Sequence, residues 1–166
     1  MAKQTFEIVD GVYVGPDVWE GGLDLNEYKD TLTSLGSLTK VGGSLTKVGL
    51  DLVGCASLTS LGSLSKVGGL LDLDGCTSLV SLGSLTEVGS WMDLRGCTSL
   101  VSLGSLKEVM YGLFLGDESL SLKKVQEKIR HYSSLLSHEA LNALHTNEVQ
   151  EVPLFKNILL QILQGD

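Results

Sequence analysis

The 166-residue sequence predicts a repeat solenoid, built from short parallel strands joined by 3₁₀-like or turn-rich returns, with a β-hairpin cap at the N-terminus and an α-helical cap at the C-terminus. Three observations carry that prediction. The block LDLDGCTSL at 71–79 returns as MDLRGCTSL at 92–100 and stands earlier as LDLVGCASL at 50–58, so that Cys55, Cys76 and Cys97 are spaced 21 residues apart. Between these blocks LGSL recurs from Leu61, Leu82 and Leu103, each time followed by Val67, Val88 or Val109. Leu, Gly and Ser are plentiful while aromatic residues make up only 5%, so the core is assembled from many similar aliphatic side chains.

In chain order, Thr5-Phe6-Glu7-Ile8-Val9 and Val12-Tyr13-Val14 flank Asp10-Gly11. An Asp-Gly pair between apolar runs is a hairpin signal, because a type I′ turn needs positive φ at both central residues. Residues 1–22 are therefore read as a cap, or as a first irregular coil, for a stack whose ends expose sheet backbone and apolar side chains.

Residues 23–117 form the repeat. Leu71 and Leu73 are two apart, as one face of a strand requires, and Leu79, Leu82, Leu85 and Val88 are three apart, which suits a compact return. Leu23-Asp24-Leu25 and Leu113-Phe114-Leu115 bring the number of such strands to five. Gly62, Gly83 and Gly104, with Gly68 and Gly89, disfavour α-helix on the return side. Between Leu32 and Leu58 the spacing is 26, because Ser37–Gly42 is followed at once by the near-copy Ser44–Gly49. An enlarged coil with a bulging loop carrying Lys40 and Lys47 is expected.

The pattern Leu71-x-Leu73-x-x-Cys76-x-x-Leu79, with its equivalents from Leu50 and Met92, resembles the leucine-rich-repeat family in its cysteine-containing form, over about residues 23–116. The resemblance implies a strand-lined inner face that binds proteins. One departure stands out: where the family has an apolar residue three positions before Leu71 and Met92, this chain has Gly68 and Gly89. A plain β-solenoid is the close alternative.

Beyond Gly116 the repeat fails. Leu122, Val125, Ile129 and Tyr132 follow helical spacing, Ser137 and Glu139 precede Leu141 and Leu144, and Pro153 precedes Phe155, Ile158, Leu159 and Ile162. Residues 118–166 are read as a helical cap of about three helices.

Twenty acidic against 12 basic residues give a formal charge of -8, which disfavours nucleic acid and anionic membrane and favours a protein partner with a basic surface. No apolar stretch suits a signal peptide or approaches the ~18 residues of a membrane span, and three cysteines without a CxxC pair fit reduced thiols, so a cytoplasmic protein is expected. The cysteine column reads as buried free thiols rather than a metal site. His131, His138 and His145 recur every seven residues and read as isolated cap histidines. With no nucleotide-binding glycine loop, HExxH, GxSxG or paired zinc motif, neither enzyme chemistry nor a cofactor is expected.

The remaining candidate is the outward face of the strands. If Leu71 and Leu73 point inward, alternation turns their neighbours outward. Three columns result: Gly49, Leu70, Trp91 and Gly112; Asp51, Asp72, Asp93 and Phe114; and Val53, Asp74, Arg95 and Gly116. The inward columns are uniform and these vary, as a binding surface does. Trp91 and Phe114, flanked by Leu70, are the expected apolar anchors, with Asp51, Asp72, Asp93, Asp74 and Arg95 as an exposed electrostatic selector. The expected function is a protein-protein interaction module; the alternative is an acidic inhibitor that mimics nucleic acid in a basic groove.

Overall fold

A computed structural model describes residues 3–43, 48–115, 119–120, 123, 125–127 and 130. The chain is a β-solenoid of about four turns whose parallel strands recur at 21-residue spacing. Each coil has three sides. One carries a six-stranded sheet in the order β13-β12-β10-β8-β6-β4: β4 (Leu23–Asp24), β6 (Val48–Asp51), β8 (Leu70–Asp72), β10 (Trp91–Asp93) and β12 (Gly112–Phe114) run parallel, and β13 (Ser119–Leu120) closes the edge antiparallel to β12. These five parallel strands are the five read from the sequence.

The second side differs from the expected 3₁₀ or turn return. It is a five-stranded parallel sheet of two-residue strands, β3 (Val18–Trp19), β5 (Lys40–Val41), β7 (Lys66–Val67), β9 (Glu87–Val88) and β11 (Glu108–Val109), in stack order. The third side is narrower, joined by the parallel bridges Val12–Ser34–Ser60 and Ser81–Ser102. The one 3₁₀ segment among the described residues is Asn26–Tyr28 in the first coil. Period-three apolar spacing here means that each side of a three-sided coil sends its aliphatic residues inward: Leu73, Leu79, Leu82, Leu85 and Val88 are fully buried, as are their equivalents in the coil before.

Side chains hold two of the corners. On leaving the bridge-bearing side, Ser34, Ser60, Ser81 and Ser102 accept with Oγ from the N–H of the glycine two residues on, at 3.0–3.2 Å. At the ends of β4, β6, β8 and β10, Asp24, Asp51, Asp72 and Asp93 accept with Oδ1 from the N–H two residues on, at 2.9–3.2 Å. Short oxygen-bearing side chains favour such local turns over continued strand. The glycine after each serine takes up positive φ (Gly62 +59°, Gly83 +57°, Gly104 +56°), which places it in the left-handed region.

The N-terminal hairpin forms as read, with β1 (Glu7–Val9) antiparallel to β2 (Val12–Val14) and positive φ at both Asp10 and Gly11. β2 also bridges Ser34, so the hairpin caps the stack and opens its first coil. Phe6 plugs the end: it stacks on the buried Tyr13 at 5.5 Å and meets Trp19 and Tyr28 edge-on at 5.6 and 5.8 Å. The Gln4 amide satisfies the free edge of the five-stranded sheet, donating to the Val18 carbonyl and accepting from the Glu20 N–H.

The duplicated segment is accommodated after β5. The first copy keeps the sheet position, with Lys40 opposite Lys66 and Val41 opposite Val67, so Lys40 belongs to a strand and not to the expected loop. Lys47 lies outside the described residues. The added length re-enters the stack with a bulge: Val48 pairs Leu70 and Leu50 pairs Leu71, leaving Gly49 between them. At the other end, helical backbone appears at 123, 125–127 and 130, and Val125 is buried in the core cluster. The rest of the expected helical cap, with His131, His138 and His145, lies outside the described residues.

Gly83 and Gly104 share one backbone conformation but not one environment. A Cβ at Gly104 collides with the Gly83 carbonyl of the coil beneath, whereas a Cβ at Gly83 meets nothing within 4 Å. Gly83→Ala is expected to cost about 1–2 kcal/mol, for the left-handed conformation alone. Gly104→Ala is expected to cost distinctly more; equal shifts in urea midpoint for the two variants contradict the inter-coil contact.

Candidate functional site

The outward face of the six-stranded sheet is uniform in backbone and uneven in side chains. Its register places Leu70, Trp91 and Gly112 in one column and Asp24, Asp51, Asp72, Asp93 and Phe114 in the next. The first column begins with Val48 and not with the expected Gly49, because the bulge displaces the glycine out of register. Gly116, expected in the third column, lies outside the described residues.

Around β10 and β12 the face becomes aromatic. Trp91 and Phe114 are half-buried with ring centroids 5.1 Å apart, and Trp91 lies 5.8 Å from Tyr111, which is 48% exposed. Trp91 is opposite Gly112 in the strand register, so its paired residue carries no side chain, and its ring contacts come from Tyr111 and Phe114 on either side of that glycine in the chain. The Arg95 guanidinium stands 5.8 Å from the Phe114 ring centre, within cation-π range. Tyr111 was not among the residues read from the sequence. A signal for it exists: with Met110, it replaces the Gly68-Gly69 and Gly89-Ser90 pairs of the preceding coils.

The aspartates depart from the expected exposed selector. Each of Asp51, Asp72 and Asp93 spends one oxygen on the turn that ends its strand. Asp93 is only 5% exposed and forms a bidentate pair with Arg95, whose Nη2 is 2.6 Å from Oδ2 and whose Nε is 3.0 Å from either oxygen. Asp93 is therefore a buried, neutralised carboxylate. Its charge in turn holds Arg95 above the ordinary arginine range, chiefly through the hydrogen bond. Asp51, Asp72 and Asp74 are half-buried. Burial pushes the Asp72 carboxyl above its usual value, the Asp74 N–H pulls it down, and the charges of Asp93 and Asp51 raise it again.

The three cysteines are free and buried in one column beneath this face. Cys76 Sγ donates to the Leu52 carbonyl at 3.3 Å and Cys97 Sγ to the Leu73 carbonyl at 3.2 Å, so each thiol ties its coil to the one before. Burial raises all three thiols, Cys55 to about 11 and Cys97 to about 12, with Cys76 higher still. These sulfurs are the reverse of activated nucleophiles. Among the described residues no group of three or more His, Cys, Asp or Glu side chains is placed to hold a metal ion, and no helix is long and apolar enough to cross a membrane.

Comparison with protein-family models, with curated proteins and with solved structures finds no match for this chain. The site must therefore be read from its own geometry.

Two measurements check that geometry. A carboxyl whose folded pKa is raised contributes stability that is complete below the unfolded value, near 3.9, and is lost as pH rises through the folded value. Asp72→Asn keeps the oxygen that accepts from Asp74 and removes the charge, so it is expected to raise the denaturation midpoint slightly at pH 7 and to lose that advantage below about pH 4. Asp72→Ala breaks the turn bond and is expected to destabilise at both pH values by about 1 kcal/mol. Thiol labelling at pH 8 is expected to be slow at all three cysteines until denaturant is added; rapid native labelling of any of them contradicts the inward column.

Proposed function

We propose that the protein is a non-enzymatic protein-protein interaction module that binds through the six-stranded sheet, with Trp91 and Phe114 as anchors and Tyr111 beside them. The observation that carries this reading is the aromatic cluster itself. In an otherwise monotonous stack, half-exposed rings occupy positions where other coils place glycine, serine or aspartate or, at Trp91, the smaller aliphatics Val48 and Leu70. Tryptophan and tyrosine are favoured as binding hot spots because they bury a large area at small entropic cost. The likeness to leucine-rich repeats in the LxLxxC motif, a family that binds through its strand-lined face, supports the same surface.

The partner's surface is basic in this reading. Towards the N-terminal end, the anchors give way to Asp72, Asp51 and Asp24, stacked at one-strand spacing without a basic side chain in their column. Arg95 cancels Asp93 and leaves the aromatic end near neutral, so the face pairs an apolar end with an acidic one. Leu70 and Asp74 complete it on either side. The stacked carboxylates also support the second reading, an acidic mimic that occupies a basic groove. Salt separates the two, since a mimic's affinity falls steeply with ionic strength while ring burial does not.

Trp91→Ala is the test. Proteins retained from a native lysate by the immobilised chain, identified by mass spectrometry at low and high salt, are expected to be lost with the variant, by ~2 kcal/mol or about 30-fold in affinity for a directly bound partner. Loss of the ring contacts with Phe114 and Tyr111 is expected to lower stability only modestly, by about 0.5–1.5 kcal/mol. Unchanged retention together with a large drop in melting temperature makes Trp91 a packing residue instead.

A further inference from the structure

We propose that the five-stranded sheet, on another side of the coil, is the contact face of an antiparallel dimer of this chain. Its outward column reads Val18, Lys40, Lys66, Glu87, Glu108 in strict register, an apolar residue at the N-terminal edge and then two cations followed by two anions. Lys66 and Glu87 already pair at 2.5 Å, while Lys40 stands beside Lys66 and Glu108 beside Glu87, both like-charged. An isolated column arranged this way carries avoidable repulsion at both ends.

The order of the four charges is antisymmetric about the point between Lys66 and Glu87. Consider a second copy packed face to face, related by a two-fold axis that lies between the sheets, parallel to the strands, and passes between Lys66 and Glu87. Each column then faces the same column of the other copy in reverse order. Lys40 meets Glu108, Lys66 meets Glu87, and both unrelieved ends, about 14 Å apart at three strand spacings, find opposite charge. Packing the two stacks in the same direction instead sets like charges against each other.

The neighbouring column obeys the same axis. It reads Gly42, Gly68, Gly89, Met110, residues that each follow the strand valine and donate to the coil beneath. Met110 is 51% exposed, and the axis sets it opposite Gly42 of the second copy. Gly42 borders an open hollow of about 510 Å³, bounded among the described residues by Trp19, Glu20, Gly21, Lys40 and Gly43 as well. A flexible thioether is suited to fill such an irregular recess. The intervening Gly68 and Gly89 leave the two sheets free to approach. A single operation thus satisfies the charges and seats Met110, the larger of two exposed apolar side chains on this face, the other being Val18 at its N-terminal edge.

Exposed ion pairs are individually weak and the sheet is small, so the association is weak, dependent on concentration and sensitive to salt. Analytical ultracentrifugation of the full chain, up to about 1 mM, is the measurement. The wild type is expected to form dimers that dissociate at high salt. Lys40→Glu and Glu108→Lys are each expected to weaken dimerisation at least tenfold, because each sets like charges across the interface twice. Neither threatens the fold, since each creates an opposite pair within its own column. The double variant K40E/E108K restores the reversed order and is expected to recover dimerisation, Met110→Ser to weaken it, and Trp91→Ala, on the other sheet, to leave it unchanged. A wild type monomeric throughout, single reversals that dimerise as well as the wild type, or a double variant that stays monomeric overturns the proposal.

Discussion

Everything in this structure depends on the ladder of main-chain hydrogen bonds that seats each coil on the one before it. Parallel strands meet at a fixed spacing of about 4.8 Å, so a coil can lie on its predecessor only if all three of its corners turn at the same place. Bonds such as Gly68 N–H to Val41, Gly89 to Val67 and Met110 to Val88 show one residue repeating one contact coil after coil. That constraint holds the later coils to 21 residues and forces the longer one to take up its excess outside the paired strands, selects glycine where backbone runs against backbone, and demands side chains that end a strand without help from a neighbour. Serine at one corner and aspartate at the next supply that help through bonds to the N–H two residues on.

The same constraint explains why the aspartate column is there at all. Carboxylates one strand apart repel, yet a strand that must stop at the same point in each coil gains a turn bond from every one of them. Burial makes the charge more costly towards the middle of the stack, and Arg95 answers at Asp93, where exposure is least. The face is therefore a compromise in which structural carboxylates also set the local field. Its aromatic end is where structural demand lapses, because Trp91, Tyr111 and Phe114 fill no position that the ladder requires.

The strands of the six-stranded sheet were legible in the sequence because three residues with the pattern in-out-in leave a period of two, and the Asp10-Gly11 hairpin because its turn chemistry is local. The second sheet was not. Two-residue strands such as Lys66–Val67 and Glu87–Val88 are too short to show alternation, and an apolar residue at every third position describes a 3₁₀ return as well as a three-sided coil. The aspartates were misread for a related reason. Alternation turned them outward correctly, but it carries no information on whether an outward carboxylate meets solvent or bends back to its own chain. The place of Gly49 was lost to the insertion, since a bulge shifts register in a way that counting from a motif cannot show. Tyr111 and Met110 are visible in the sequence as departures from a glycine column, but strand alternation by itself does not point to them.

Repetition also limits where specificity can reside. A column that must be leucine, cysteine or glycine in every coil cannot distinguish one partner from another, so recognition is confined to outward positions free to vary. On the six-stranded sheet that freedom yields a gradient from carboxylates to rings, the face proposed above to meet a partner. On the five-stranded sheet it yields Lys40, Lys66, Glu87 and Glu108, a series that reverses into its own complement. Because the two sheets occupy different sides of the coil, occupation of one leaves the other open. A weak dimer would then present two copies of the aromatic face on one particle, and two modest contacts acting together bind a repeated or extended partner far more tightly than either alone.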